Sequence, residues 1–424
     1  MLAPTPASPE SAGMSTPALN RLEAHLKTRY IDAGRFPGTQ LLIYRRGKIV
    51  HSTVQGFADL ERKVPVKDDT IYRIYSMTKP ITSVAFMMLV EEGRVAIDEP
   101  VAKYIPEWKN LGVFLAGNAP AFLTRPPNRP MLIVDLLRHT SGLTYGFQQR
   151  SNVDAAYREH KIGEVEKAGS LDSMIEGLAK IPLEFSPGEA WNYSVATDVL
   201  GYLVGKISGM PFEQFLKERI FKPLGMNDTD FFVPADKANR FAACYSADPQ
   251  GGFNPLAAER KGTLTLQDDP TTSSFLSPPS LVSGGGGLCS TAADYLTFCR
   301  ALLNGGELGG VRLLGPKTLK LMTSNHLPGG VDLPAMSRSL FSEAAYNGIG
   351  FGLGFAVTMH PSQTLIAGSP GEFNWGGAAT TSFFIDPAEE LITIFMTQVL
   401  PSSAYPLRRE LRTMVYAAIT ESNL

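Results

Sequence analysis

The chain has 424 residues, of which 44% are hydrophobic and 19% are charged, and its formal net charge at pH 7 is −2. The length predicts two domains, or one domain with a large insert, and the composition is typical of globular proteins with an apolar core. Because basic runs and apolar stretches of about 20 residues are both missing, the composition argues against a nucleic-acid partner and against membrane association.

The cysteines and the N-terminus suggest where the protein resides. Cys244, Cys289 and Cys299 are too scattered to predict a disulfide framework or a zinc site. The opening "MLAPTPASPESAGMST" has neither a cationic segment nor an apolar core, so it does not predict a signal peptide. No pair of histidines has the spacing of a metal site. We therefore expect a cytoplasmic protein with reduced thiols and no cofactor or metal.

The N-terminal elements are predicted to be a helix, a hairpin and a second helix. Leu19, Leu22 and Leu26 recur at helical spacing within residues 17–33. Two strand-like segments folded about Arg46-Gly47 predict a β-hairpin. The later segment "ITSVAFMMLVEEG" is apolar nearly all round and ends in glycine, which predicts a buried helix.

The rest of the chain divides into a helical region and a strand-rich region. Residues 95–300 alternate helical segments with connections rich in proline and glycine, and Ser290 is the expected N-cap of their last helix. Strand patterns return at residues 350–359, 379–386 and 390–398, and residues 402–420 predict a final helix. We predict an α/β domain from residues 1–80 and 300–424, a mostly helical domain from residues 81–299, and an active site between the two.

The stretch "IYSMTKP" carries the first candidate for chemistry. At the start of a helix, Lys79 lies on the same face as Ser76, three residues earlier, so its amine can reach the serine hydroxyl. Burial disfavours the charged ammonium and so favours an amine that can accept the serine proton. The alternative is a serine that caps a helix next to a solvated lysine, because Ser-x-x-Lys is short enough to occur by chance.

Two later segments offer what a serine nucleophile needs besides a base. Tyr193 stands just before a predicted helix, where its phenol can face a cleft, although most such tyrosines are half-buried with one hydrogen bond. In "FNWGGAATTSFFID" two glycines permit close approach of another backbone, so the amide of Ala378 is placed to form an oxyanion hole with the amide of Ser76. The alternative for this segment is a simple turn before a strand.

These segments together resemble class C β-lactamases and their esterase relatives. Ser76-Met77-Thr78-Lys79, Tyr193-Ser194 and Trp375-Gly376-Gly377 follow in the order and at the separations of that superfamily's three motifs. Further similar segments are "DLLRHTSGL", "FSPGEAWNYS", "PLGMNDT", "SGGGGLCSTAADY" and "GFGLGF", and the resemblance covers about residues 15–420. It implies a β-lactamase-like fold of class α/β plus all-α, with an antiparallel sheet, flanking terminal helices and a large helical insert.

Two departures from the β-lactamase motifs point to esters. Val195 stands where those enzymes have an asparagine that holds the substrate amide, and Trp375 replaces the lysine that binds the substrate carboxylate. The loss of a cation weakens binding of anionic substrates, and Trp-Gly-Gly resembles the family VIII carboxylesterases.

The resemblance also implies a role for each site residue. It makes Ser76 the nucleophile, Lys79 its activating partner and Tyr193 a second proton-transfer group. Trp375 and the adjoining glycines would line the substrate site, and we add its aromatic neighbours Tyr145, Phe147 and Phe351 from their position in the sequence alone.

The predicted activity is therefore hydrolysis of short-chain carboxylic esters, with a small-molecule ester as the ligand. Three alternatives stay open from the sequence: transfer of the acyl group to an alcohol or amine, hydrolysis of β-lactams, and an inactive penicillin-binding-like module that binds a partner.

Overall fold

The computed structural model describes residues 6–163, 169–247, 263–338 and 346–424. Its α-helices in these ranges are α1 (Thr16–Leu26), α2 (Thr78–Glu91), α3 (Ile133–Leu137), α4 (Asn152–Glu159), α5 (Leu171–Leu178), α6 (Ala196–Ser208), α7 (Phe212–Leu216), α8 (Lys222–Leu224), α9 (Ala292–Leu303), α10 (Pro316–Met322), α11 (Leu333–Met336), α12 (Pro361–Thr364) and α13 (Leu407–Ala417). Its strands are β1 (Gly38–Arg45), β2 (Lys48–Asp59), β3 (Val64–Pro65), β4 (Tyr72–Arg73), β5 (Val113–Asn118), β6 (Ala121–Arg125), β7 (Cys244–Ser246), β8 (Thr265–Asp268), β9 (Cys289–Ser290), β10 (Glu307–Leu308), β11 (Val311–Arg312), β12 (Ile349–Phe351), β13 (Ala356–Thr358), β14 (Phe373–Gly376), β15 (Ser382–Asp386), β16 (Leu391–Met396) and β17 (Val399–Leu400).

An eight-stranded sheet forms the centre of the fold. Its strand order is β12-β13-β14-β15-β16-β1-β2-β3, and all neighbours run antiparallel. The N-terminal hairpin and the C-terminal strands meet where β1 pairs with β16, with Leu42 opposite Ile394. The predicted hairpin about Arg46-Gly47 is therefore confirmed, and it supplies two adjacent strands of a sheet built from both ends of the chain.

Helices cover both faces of this sheet, which is why all eight residues of β1 are buried. Successive strand residues point to opposite faces. Leu41 and Ile43 pack in a cluster with residues of α1 and α13. Leu42 packs in the larger cluster that holds α2 and α9. The terminal helices thus form one outer layer. Helix α2, which begins two residues after Ser76, lies in the interior on the other side of the sheet.

The predicted α/β plus all-α class with an antiparallel sheet is confirmed, with local corrections. The region between residues 95 and 300 also contains the β5–β6 hairpin, and β7, β8 and β17 form a three-stranded sheet that the sequence patterns did not predict. Residues 350–359 form the two paired strands β12 and β13 rather than one strand. Gly354 lies between them at φ +98°, a backbone conformation that favours glycine.

The expected helix cap at Ser290 is wrong by one residue. The side chain of Thr291 accepts a hydrogen bond from the Asp294 amide at 3.2 Å and is the N-cap of α9. Ser290 instead lies in β9, opposite Tyr72 of β4, and its hydroxyl bonds to that of Thr229 at 2.7 Å. Pairing of β9 with β4 therefore draws Ser290 into the preceding strand.

The three cysteines are buried and carry free thiols. Among the residues placed in the structure, none of the helices has the length and apolar character to cross a bilayer. The division into residues 1–80 with 300–424 and residues 81–299 stays a prediction.

Candidate active site

Ser76 lies in a short loop that is fixed on both sides. Upstream, β4 pairs with β9, and the Ile74 amide donates to the carbonyl of Leu288 at 3.0 Å. Downstream, the hydroxyl of Tyr295 donates to the carbonyl of Met77 at 2.9 Å. Tyr75 has φ +43°, a strained value for a residue with a side chain, and such strain often accompanies functional sites.

The structure does not make Ser76 a helix cap. Helix α2 begins at Thr78, and its N-cap position is Met77, whose side chain makes no capping hydrogen bond. Ser76 belongs to the 3₁₀ turn before the helix and is partly exposed. Its hydroxyl is therefore directed to the partners described next.

Lys79 is buried beside the serine, with only 2% of its surface exposed. Its Nζ lies 3.3 Å from the Ser76 Oγ and 2.6 Å from the carbonyl oxygen of Gly285. The same nitrogen lies 4.4 Å from the ring centre of Tyr193 and 5.3 Å from that of Tyr145. Two aromatic faces and a backbone carbonyl thus replace the water that would surround this side chain at the surface.

Tyr193 reaches the serine from the other side. Its Oη lies 2.6 Å from the Ser76 Oγ. Its loop is fixed by backbone hydrogen bonds, because the amide of Asn192 donates to His139 and that of Val195 donates to Thr144. The segment "DLLRHTSGL" thus supports the loop that presents Tyr193, which gives this sequence landmark a physical role.

His139 supports Tyr193 rather than the reacting atoms. Its ring packs 5.0 Å from that of Tyr193, and its Nδ1 lies 3.2 Å from the Ser194 Oγ. Burial, together with the positive charge of Lys79, lowers the pKa of His139 well below its ordinary value. The imidazole is therefore neutral at neutral pH.

Sequence reasoning missed the glycine loop that holds Lys79. The sequence "SGGGG" lies in a segment that resembles the family, but nothing in it indicates that the carbonyl of Gly285 accepts a hydrogen bond from Lys79. The amide of Gly285 donates to buried Asp198 at 3.0 Å, and the hydroxyl of Ser283 donates to the same carboxylate. No local pattern identifies this contact, because its partners are 206 and 87 residues away in the chain.

The two glycines after Trp375 bring the end of β14 against the serine loop. A Cβ on Gly377 would lie 2.4 Å from the carbonyl oxygen of Ile74, two residues before Ser76. Contacts this short do not occur, so only glycine permits this approach of the two backbones. Ala378 follows at an exposed position. Among the described residues, no backbone carbonyl accepts a hydrogen bond from the amides of Ser76 or Ala378.

The predicted aromatic residues gather around Tyr193. The Trp375 ring lies 5.5 Å from that of Tyr193 and 5.4 Å from that of Phe351. Tyr145 packs 5.3 Å from Tyr193 and stacks on Phe147 at 4.7 Å. Their exposures differ: Phe351 is 1% and Tyr145 6% exposed, whereas Phe147 is 53% exposed. Trp375 is partly exposed, so it and Phe147 are the members that solvent or a ligand can touch.

Comparisons with known proteins agree with this fold. The sequence matches the protein family described as "Beta-lactamase" over residues 19–417. Esterase EstB of Burkholderia gladioli is 32% identical over 396 residues, which cover 90% of this chain and 91% of that protein.

Solved structures show the same architecture. EstCE1, described as a hydrolase with promiscuous acyltransferase activity, superposes with a TM-score of 0.76 at 25% identity, covering 96% of this chain and 99% of that one. Simvastatin synthase (LovD) of Aspergillus terreus superposes with a TM-score of 0.75 at 24% identity, covering 97% and 98%. The fold is that of the β-lactamase-like serine hydrolases. The chain belongs to the β-lactamase family, and its resemblance to the family VIII carboxylesterases within that superfamily is confirmed.

Proposed function

We propose that the chain hydrolyses short-chain carboxylic esters through an acyl-enzyme on Ser76. The observation that carries the proposal is the convergence of Lys79 Nζ and Tyr193 Oη on the Ser76 Oγ, at 3.3 and 2.6 Å. A hydroxyl within reach of two proton-transfer groups is the arrangement of an activated nucleophile. The similarity to esterase EstB supports an ester as the substrate.

The reaction runs in two steps at one serine. The Ser76 Oγ attacks the ester carbonyl carbon, and its proton passes through Tyr193 and Lys79 to the departing alkoxide as the C–O bond breaks. Water then attacks the acyl-serine, so the carboxylic acid leaves and Ser76 regains its proton. In both steps the amides of Ser76 and Ala378 donate to the carbonyl oxygen as it becomes an oxyanion.

The surroundings of Trp375 favour a neutral substrate. Trp375 stands where the related β-lactamases have a lysine, and it presents an indole ring in place of a cation. Gly376 and Gly377 leave room beside it, and Tyr145, Phe147 and Phe351 extend the aromatic surroundings. An uncharged acyl or alkoxy group gains apolar contact there, whereas a carboxylate would lose water without an opposite charge.

The first prediction tests the nucleophile. Ser76→Ala is expected to lower kcat/KM for p-nitrophenyl acetate by at least about a thousandfold, because the acylated atom is removed. Ser83→Ala is the matched control, since Ser83 lies on α2, is 1% exposed, and its hydroxyl has no hydrogen-bond partner among the described residues. The activities are measured on p-nitrophenyl esters of graded acyl length. Turnover by Ser76→Ala at the wild-type rate would refute the proposal.

A second candidate function is transfer of the acyl group to an alcohol. It is favoured by the similarity to EstCE1, whose description includes promiscuous acyltransferase activity. Product analysis with methanol and water in competition separates the two: methyl ester formed in excess of the methanol fraction indicates a transferase.

Two further alternatives have tests of their own. Incubation with a chromogenic cephalosporin measures β-lactam hydrolysis directly. A fluorophosphonate probe that fails to label Ser76 would indicate the inactive binding module instead of an enzyme.

A further inference from the structure

Arg408, on the first turn of α13, contacts the backbone that follows Trp375. Its Nη2 donates to the carbonyl oxygen of Gly377 at 3.0 Å and to that of Thr381 at 3.3 Å. A Cβ on Gly376 would lie 2.4 Å from the same Nη2. Glycine at position 376 is therefore what admits the guanidinium, just as glycine at position 377 admits the carbonyl of Ile74.

The carbonyl of Gly377 and the amide of Ala378 belong to one peptide group. This peptide is trans, since the cis bonds of the described chain are Ala119-Pro120 and Leu400-Pro401. In a trans peptide the C=O and N–H bonds point in opposite directions. The carbonyl also accepts from the amide of Thr380 at 3.1 Å, so two donors fix its direction.

We infer that Arg408 is a positioning residue for the oxyanion hole, holding and polarising the peptide whose Ala378 N–H receives the oxyanion. The inference rests on the proposed function. A donor on the carbonyl oxygen orients the opposite N–H and strengthens it as a donor, because linked hydrogen bonds polarise one another. A cation does this more strongly than a neutral donor. Arg408 thus acts behind the peptide, without touching the substrate.

The effect is specific to the transition state. Charge on the carbonyl oxygen grows as the tetrahedral intermediate forms, so a weaker Ala378 donor lowers kcat more than it changes KM. Loss of a whole oxyanion-hole donor costs about 10²–10³ in kcat. Loss of Arg408, which acts behind that donor, is expected to lower kcat by less, about tenfold.

The test compares Arg408→Ala, Arg408→Gln and Arg408→Lys in the full chain. Arg408→Ala is expected to lower kcat for p-nitrophenyl acetate about tenfold with KM within about twofold of wild type. In the wild type one nitrogen, the Nη2 of Arg408, donates to the carbonyls of both Gly377 and Thr381. Arg408→Lys keeps one cationic donor, so it is expected to retain most of the wild-type kcat. The neutral Gln variant is expected to recover little. Arg409→Ala is the control, because it removes a partly exposed arginine of the same helix whose guanidinium donates to the carbonyl of Leu365 and not to the Trp375 segment.

A second readout does not depend on ester turnover. The rate at which a fluorophosphonate labels Ser76 also depends on donors to the phosphoryl oxygen, and it is expected to fall in the order wild type, Lys, Gln, Ala. If wild type neither hydrolyses esters nor labels, the proposed function itself fails. If wild type labels and Arg408→Ala labels equally fast with an unchanged kcat, the role of Arg408 is overturned.

The charge comparison also separates positioning from folding. Should Arg408→Ala fail to fold, the Lys and Gln variants decide the matter. The inference is supported if kcat of Arg408→Lys is near that of wild type and kcat of Arg408→Gln is about tenfold lower. Equal kcat values for these two variants overturn it.

Discussion

At the scale of single residues, the site depends on how Lys79 is held near its serine. The Nζ of Lys79 donates a hydrogen bond to the carbonyl of Gly285, and the amide of Gly285 donates to the carboxylate of Asp198. The side chain of Asp198 is buried and also accepts from Ser283. A displacement of this glycine therefore moves the lysine, even though Gly285 has no side chain to take part in chemistry.

The second prediction tests this loop with adjacent glycines. A Cβ on Gly285 would lie 2.5 Å from an Asp198 carboxylate oxygen and 2.8 Å from the Tyr145 hydroxyl, so Gly285→Ala must shift either the loop or these two buried side chains beside Lys79. We expect kcat/KM for p-nitrophenyl acetate to fall about a hundredfold, the cost of a displacement near 1 Å. Gly286→Ala is the control, because the nearest atom to its Cβ would be 3.8 Å away. Equal activities of the two variants would contradict the role of Gly285.

At the scale of secondary-structure elements, the buried helix and the hairpin could be predicted because their signals are local. An unbroken apolar segment after Lys79 and a turn at Arg46-Gly47 are visible in a short window of sequence. The β4–β9 bridge is not local, because it joins residues more than 200 positions apart. It is this pairing that removes Ser290 from the helix end and leaves Thr291 to cap α9.

The third prediction concerns that cap. Thr291→Ala is expected to lower the free energy of unfolding by about 1 kcal/mol, since the Asp294 amide loses its acceptor. Thr297→Ala changes a partly exposed position within α9, and it is expected to change the free energy of unfolding by less than about half of that amount. Urea unfolding followed by circular dichroism measures both. If the two variants were equally stable, the assignment of the cap to Thr291 would be wrong.

At the scale of the whole molecule, both ends of the chain build one sheet and one outer helical layer. β1 pairs with β16 across about 350 residues of sequence, and no local pattern specifies that register. The prediction of an antiparallel sheet came from the resemblance of the motifs to a known family and not from the periodicity of the sequence. Helical spacing alone predicted that Lys79 reaches Ser76, and the resemblance joined Tyr193 to that pair. The contacts of Gly285, Asp198 and Arg408 are visible only in the structure.

The Glu410 carboxylate is one of the links between the N-terminal and C-terminal helices. Glu410 of α13 accepts hydrogen bonds from Tyr30 at 2.6 Å and from His25 at 2.8 Å, and its other oxygen lies 3.1 Å from Arg29. Burial alone would raise the pKa of Glu410. The hydrogen bonds from His25 and Tyr30 and the charge of Arg29 outweigh burial and lower that pKa below its ordinary value. The ionised carboxylate therefore stabilises the contact between the N-terminal and C-terminal helices.

The fourth prediction follows from the sign of that shift. A carboxyl whose pKa is lower in the folded state stabilises the fold above its unfolded pKa, and this contribution is lost as the pH falls through the folded value. Glu410→Gln is expected to lower the free energy of unfolding at pH 7 by about 2 kcal/mol, because it weakens charge-assisted hydrogen bonds. The difference from wild type should narrow as the pH falls below about 4.5, the ordinary pKa of glutamate.

Urea unfolding at pH 7, pH 4 and pH 3 measures this difference, with Glu421→Gln as the control. Glu421 also links the chain ends, through Arg46, but its side chain is 69% exposed, so its removal is expected to change stability little at either pH. A Glu410→Gln deficit that stayed constant down to pH 3 would show that the lost stability comes from packing and not from the ionised carboxylate. The contribution of Glu410 would then come from its packing between the terminal helices.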